Sequence, residues 1–284
     1  MAITTLQAAI SAHVHDGDTV ALEGFTHLIP FAAGQEIIRQ RRRGLHLIRM
    51  TPDLIYDQMI GAGCADRLTF SWGGNPGVGS AHRVREAIEK AWPGPLAINE
   101  HSHAGMAAAY VAGASRLPFG MLRGYTGTDL PGVNPTIRHV VCPYTGEHIA
   151  TVPALNPDVT ILHAQKADRA GNVLISGILG AQKEAGLAAR RLLVTVEEIV
   201  DDLGAPMNAV VLPSWVVTAV ACVPGGAWPS YARGYYSRDN AFYITWDEIS
   251  RDRATFTAWI DRYVHGTDDF AGFIAALRAD GVGP

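Results

Sequence analysis

The sequence predicts a layered α/β protein built on a mostly parallel sheet flanked by helices. Three observations carry that reading. Short runs of β-forming residues end repeatedly in glycine or a turn and pass into helix-like segments, which is the order of βαβ units. The same runs are apolar along both faces, as strands are when helices cover each side of a parallel sheet. The chain has 284 residues, 48% hydrophobic and 18% charged, enough for a large core and far from disordered or coiled-coil compositions. A single domain over residues 1–284 is expected, ending in a helical segment over 240–284.

In chain order, Thr5 to Val14 reads as a helix that leaves through Asp16-Gly17-Asp18. Thr19 to Leu22 follows as a buried strand opening into Glu23-Gly24-Phe25-Thr26, and a helix surrounds Gln35 to Arg42. Leu45 to Met50 supplies a second strand and Asp53 to Ile60 a helix. Leu68 to Trp72 is a third strand, which opens into Gly73-Gly74-Asn75-Pro76-Gly77-Val78-Gly79 before a helix from Ser80 to Ala91. Later strands are placed at Leu96 to Asn99, Gly120 to Arg123, Arg138 to Val141, Val159 to His163, Leu192 to Val196 and Ala209 to Leu212. Alanine-rich Ala104 to Ala114 is a helix between the first two. From Trp246 on, Phe256, Trp259, Ile260 and Tyr263 recur at helical spacing, and Phe270, Phe273, Ile274 and Leu277 do so again. Two amphipathic helices are expected there, with their aromatic stripe packed back on the sheet in preference to a second polypeptide.

The formal charge is −4 and the cations are scattered, so nucleic acid is not an expected partner. Arg39, Arg41, Arg42 and Arg43 cluster at a helix end, where cations complement the dipole and face water. Cys64, Cys142 and Cys222 are far apart and odd in number, which suggests neither disulfides nor zinc. No Lys or Arg precedes Arg39, so the cationic start of a signal peptide is missing and a cytoplasmic protein is expected. Leu203 to Ala232 carries no Asp, Glu, Lys or Arg, but Pro206, Pro213, Pro224 and Pro229 cut it into pieces that read as buried strands and turns, with no membrane span.

Chemistry concentrates at the two glycine turns. Both fall at the carboxyl ends of predicted parallel strands, where ligands bind in such sheets, and glycine lets backbone N–H groups approach a ligand; tight chain reversal is the plainer reading. Gly77-Val78-Gly79 lacks the third glycine of a dinucleotide fingerprint, and neither a P-loop nor a G-x-S-x-G elbow occurs. Glu100-His101-Ser102-His103 forms the other dense cluster. Strand alternation would put both histidines on one face and Glu100 on the other. Two histidines are too few for a metal site; they cap the next helix or line a polar cleft, and Glu100 is a candidate general base or nucleophile.

The run Asp16-Gly17, Val20 to Phe25, Pro30 and Arg39-Gln40 resembles the opening of class I coenzyme A transferase α subunits. Arg123-Gly124, Gly127 to Leu130, His163 to Asp168 with Gly171-Asn172, Val194 to Val200, and Val223 to Ala227 are similar to that family in order and spacing. Nearly the whole chain is covered, and within the family it looks like glutaconate CoA-transferase α subunits; their relatives include a ring-cleaving acyl-CoA hydrolase and a decarboxylase, which remain the alternative reactions. The resemblance implies the fold shared by CoA transferases and sugar-phosphate isomerases, coenzyme A or acyl-CoA as substrate with no permanently bound cofactor, and a β subunit in an α2β2 assembly. It also implies that a β-subunit glutamate is the nucleophile, since no Ser-Glu-Asn-Gly-like stretch occurs here. On that basis Gly24 and Phe25 are oxyanion candidates, and Thr26, Trp72, Gly73, Gly74, Asn75, Gly77, Glu100, Arg123 and Thr128 line the shared site. Arg123 suits a substrate carboxylate, or equally an internal salt bridge.

Overall fold

The computed structural model describes residues 2–282. The first half alternates as predicted: β1 (Ala2–Ile3), α1 (Leu6–His13), β2 (Thr19–Glu23), α2 (Phe31–Arg39), β3 (Leu45–Ile48), α3 (Leu54–Gly61), β4 (Ala65–Phe70), α4 (His82–Lys90), β5 (Ala97–Glu100) and α5 (His103–Ala114). Capping side chains set several starts. Thr5 Oγ1 accepts from Ala8 N at 3.2 Å, and Ser102 Oγ from Gly105 N at 3.0 Å.

Then come β6 (Phe119–Leu122), α6 (Leu130–Val133), β7 (Arg138–Val141), β8 (His148–Pro153), β9 (Val159–Asp168), β10 (Val173–Ile175), α7 (Gln182–Ala188), β11 (Arg191–Val200), β12 (Val210–Leu212) and β13 (Ala219–Cys222). The main sheet runs β1-β13-β11-β9-β2-β3-β4-β5 with every neighbouring pair parallel, and β10 adds antiparallel to β9 and to β12. One face is covered by α1 to α4 and the C-terminal helices, and the other by α5 and α7. Central β9 is buried over its first seven residues, as a strand covered on both faces must be.

Three expectations are corrected. The strands predicted at Gly120 to Arg123 and Arg138 to Val141 do not join the main sheet; with the unpredicted β8 they form a separate antiparallel sheet, β6-β8-β7. Only its inner side packs, on Ala109, Tyr125 and Ile137, while Met121 and Val141 face solvent. The C-terminal segment has three α-helices, α8 (Asn240–Arg251), α9 (Arg253–Trp259) and α10 (Phe270–Ala279), with a π-helical turn at Ile260–His265. The first starts where Asp239 caps Phe242 N, a signal local to one residue. The aromatic stripe does pack back into the core, with Trp246, Phe256 and Trp259 in the same cluster as Val20, Leu22 and Leu47. Arg39 is not solvated either: its Nη1 pairs with buried Glu36 at 2.6 Å and its Nε donates to the carbonyls of Val264 and Thr267.

The order of the strands locates the site. After β1 at the far edge, the chain lays β2 in the middle of the sheet, adds β3, β4 and β5 on one side, and returns to place β9, β11 and β13 on the other. The carboxyl end of β2 is therefore the topological switch point, the usual seat of a ligand crevice in open parallel sheets. Gly24 is the first residue beyond it.

Candidate active site

Gly24 can be nothing larger. A Cβ there would lie 2.7 Å from the Leu28 carbonyl oxygen, 2.8 Å from that of His27 and 2.9 Å from the Ile29 Cα, all backbone atoms. The chain folds back so tightly that Thr26 and Leu28 take positive φ values of 57° and 52°, uncommon for non-glycine residues and costly enough to mark a functional turn. Among the described residues neither the Phe25 nor the Thr26 N–H donates a hydrogen bond, so two backbone donors stand free at the corner.

Glu23 is shut beneath this corner at 2% exposure. Its Oε1 accepts from Met50 N at 3.0 Å and from the Tyr110 hydroxyl at 2.9 Å, and the Gly24 N–H also turns to the carboxylate. Burial raises its pKa, offset in part by the Arg49 charge. The Gly24 donor is thus spent internally, and Glu23 ties β2 to β3 and α5. Arg49, at 1% exposure, donates from Nη1 to Asp53 Oδ1 at 2.9 Å and from Nη2 to the Gly24 carbonyl at 2.8 Å.

The second glycine turn is anchored to α8. Asn75 is buried and donates through Nδ2 to the Tyr243 carbonyl at 2.7 Å, and Arg238 Nη2 donates to the Pro76 carbonyl. Gly74 N bonds the Pro52 carbonyl, Gly77 takes φ 82°, and Gly73 lines a neighbouring cleft with Phe70 and Val84. Trp72 and Pro76 reach the same hollow as the Gly24 corner. That hollow, a cavity of about 320 Å³, is lined by Phe25, Thr26, Ile29, Arg49, Thr51, Asp53, Trp72, Pro76, His103, Arg238 and Tyr243. It lies over the carboxyl ends of β2, β3 and β4. Its single lining acid, Asp53, is already held by Arg49.

Of the predicted site residues, Phe25, Thr26 and Trp72 meet in this cavity, with Gly24 beneath it. Glu100 does not line it: it is exposed at the end of edge strand β5, paired with Phe70, and its carbonyl accepts from Asn134 Nδ2 at 2.7 Å. Arg123 and Thr128 also lie elsewhere. The Arg123 guanidinium forks onto Glu147 at 2.9 and 2.8 Å in the small sheet, and Thr128 Oγ1 donates to the Tyr125 carbonyl. Sequence reasoning passed over Arg49, Asp53 and Arg238. An arginine at a strand tip with an acid four residues on was a usable signal for the first two; Arg238 stands 162 residues from the Pro76 carbonyl it holds and has no local signature.

The histidines do not alternate as expected, because β5 stops at Glu100 and α5 starts at His103. His103 faces the cavity, its Nδ1 3.2 Å from Ser71 Oγ and its ring edge-on to Phe25. His101 is buried between Tyr125 OH at 3.2 Å and Asn134 Nδ2 at 3.3 Å. Asn134 Oδ1 accepts from Thr136, so its Nδ2 must donate and His101 Nε2 must accept: the ring is neutral. Burial lowers its pKa to about 4. The folded state then binds fewer protons than the unfolded state between pH 6.5 and 4, so this contribution is complete above 6.5 and is lost as pH falls towards 4. Urea unfolding of wild type and His101→Gln should show the stability gap closing by roughly 2–3 kcal/mol over that window; a gap independent of pH would contradict a buried neutral ring.

Among the described residues no group of three or more His, Cys, Asp or Glu is placed to hold a metal, and no helix is long and apolar enough to cross a membrane.

The profile of the Coenzyme A transferase family matches residues 3–222. The A subunit of the 3-oxoadipate CoA-transferase of Pseudomonas knackmussii is 66% identical, over 97% of this chain and 98% of its own. The chain belongs to the coenzyme A transferase family. The corresponding glutaconate CoA-transferase polypeptide of Acidaminococcus fermentans is 30% identical over 98% of this chain and 92% of its own. The crystal structure of that organism's glutaconate coenzyme A-transferase matches with a TM-score of 0.89 at 29% identity, covering 99% of this chain and 94% of that one. A crystal structure of a variant of the decarboxylase AibA/AibB matches with a TM-score of 0.78 at 29% identity, over 91% of this chain and 98% of that one. This CoA-transferase chain is of the α type, and the α/β fold and family read from its sequence both hold.

Proposed function

We propose that this chain is the α subunit of a heteromeric enzyme, α2β2, that moves CoA between an acyl-CoA and a small dicarboxylic acid of the 3-oxoadipate or glutaconate kind. The supporting observation is an imbalance at the switch point. The cavity offers free N–H donors and two arginines but no available carboxylate, since Asp53 is paired and Glu23 is buried. A carboxylate nucleophile must therefore enter from a partner, the β subunit.

The chemistry follows. A β-subunit glutamate attacks the acyl-CoA carbonyl carbon, and the oxyanion that forms takes hydrogen bonds from the Phe25 and Thr26 N–H groups. Collapse breaks the C–S bond, leaving an acyl-glutamyl anhydride and CoA thiolate. The thiolate attacks the glutamyl carbonyl, releases the first acid as carboxylate and leaves a glutamyl-CoA thioester. The acceptor carboxylate reverses these steps and departs as its CoA ester.

The test uses the chain co-expressed with its β subunit, incubated with succinyl-CoA and followed by mass spectrometry of both polypeptides. A CoA adduct on a β-subunit glutamate, with the α subunit inactive by itself, is the expected result. An adduct on Glu23 or Glu100, or CoA release that needs no acceptor acid, would overturn the reading in favour of a nucleophile on this chain or of hydrolysis.

A further inference from the structure

We propose that Arg238, backed by Arg49, receives the distal carboxylate of the dicarboxylic acyl group, so that this cavity selects dicarboxylates over monocarboxylates. The inference rests on the reading of the chain as part of a dicarboxylate CoA-transferase, and it moves the role that Arg123 suggested in the sequence to a residue far along the chain.

The cavity starts at the Phe25 and Thr26 donors, where the reacting carbonyl would sit, and its walls of Ile29, Trp72, Pro76 and Tyr243 suit a short methylene chain. Its charges do not balance. Asp53 meets Arg49 through both oxygens, Oδ1 at 2.9 Å and Oδ2 at 3.4 Å, so the Arg238 charge reaches it only from beyond ion-pair distance. Arg238 forms no ion pair among the described residues. Its Nη2 donates to the Pro76 carbonyl, its guanidinium carbon lies 3.8 Å from the centre of the Tyr243 ring, and its Nε is buried with no acceptor. Arg49 Nε is likewise buried without an acceptor.

Arg238 is half-buried, and a guanidinium whose buried Nε has no acceptor gains a partner when an anion arrives. A planar guanidinium matches a carboxylate in particular. Arg123 has no such vacancy: its side chain is 77% exposed and already forked on Glu147.

The experiment uses the assembled complex with Arg238→Met and Arg238→Lys, assayed for CoA transfer to succinate and to butyrate, an acceptor of similar size without the second carboxylate. With methionine, kcat/KM for succinate should fall by roughly 10–100-fold, mostly through KM. Butyrate, with no distal group to lose, should fall by less than about 3-fold, and lysine should recover part of the succinate loss. Calorimetry on the wild-type complex supplies a second measurement that needs no variant: adipate should bind at least about 10-fold more tightly than hexanoate. Equal losses for both acceptors would make Arg238 a mere brace for the Pro76 loop, and equal affinities for the two acids would also overturn the proposal. A wild-type complex that transfers CoA to no acid defeats the broader reading instead, so the two failures are distinct.

Discussion

Gly24→Ala is expected to lower kcat of the assembled transferase by roughly 10²–10³-fold, as much as losing one oxyanion donor, because it displaces the Phe25 and Thr26 donors. The new methyl group would sit inside contact distance of the His27 and Leu28 carbonyl oxygens and the Ile29 Cα, and none of these is a side chain that can swing away. The turn itself must open. Because Phe25 and Thr26 are the next two residues, their free N–H groups move with it, and a misplacement of about 1 Å is enough for a 10²-fold loss. Overpacking of this kind should also cost about 1–3 kcal/mol of stability, read from urea unfolding. The signature is a fall in kcat that exceeds any rise in KM. A folded Gly24→Ala complex with kcat within about 3-fold of wild type would remove the corner from the catalytic account.

Arg49→Met should be the most destabilising single substitution at the site, by about 3–5 kcal/mol. It strips Asp53 of its partner in a fully buried position and removes the donor that holds the Gly24 carbonyl. Burial already pushes the Asp53 pKa up and Arg49 gives the largest pull back, so without the arginine the upward push is opposed only by the Ile55 N–H and the Arg238 charge. The folded variant would then bind more protons than the unfolded chain above pH 3.8, and its deficit should shrink as pH falls through the raised pKa. The double variant Arg49→Met with Asp53→Leu should regain much of the loss, because an apolar pair of similar volume carries no unpaired charge. Denaturant midpoints of both variants followed across a pH series below neutrality check both statements. A loss below about 1 kcal/mol for Arg49→Met would show that the pair is not buried as described.

Much of the architecture follows from local chemistry. Runs such as Thr19 to Leu22 and Val159 to His163 are apolar on both faces and can only be covered strands, and the glycine at position 24 marks a corner because no other residue fits there. Asp239, Ser102 and Thr5 announce their helices in the same way, through one side-chain oxygen each. Where the reading failed, the signal was shared between distant segments. The strands at 119–122 and 138–141 look like any others, and only their pairing with His148 to Pro153 takes them out of the main sheet. His101 and His103 were assigned to one face by strand alternation, yet the Ser102 cap starts a helix between them and sends one ring into the core and the other towards the cavity.

By itself the sequence determined the fold class, the family and the glycine corner, since periodicity, turn chemistry and steric exclusion act over a few neighbouring residues. Only the tertiary structure decided which charges meet. It buried Glu23 and Asp53 against partners, turned Arg123 outward to Glu147, and brought Arg238 from the start of the C-terminal helices to the mouth of β2. An ionisable side chain takes its role from the burial and counter-charges around it, and those come from residues far away along the chain.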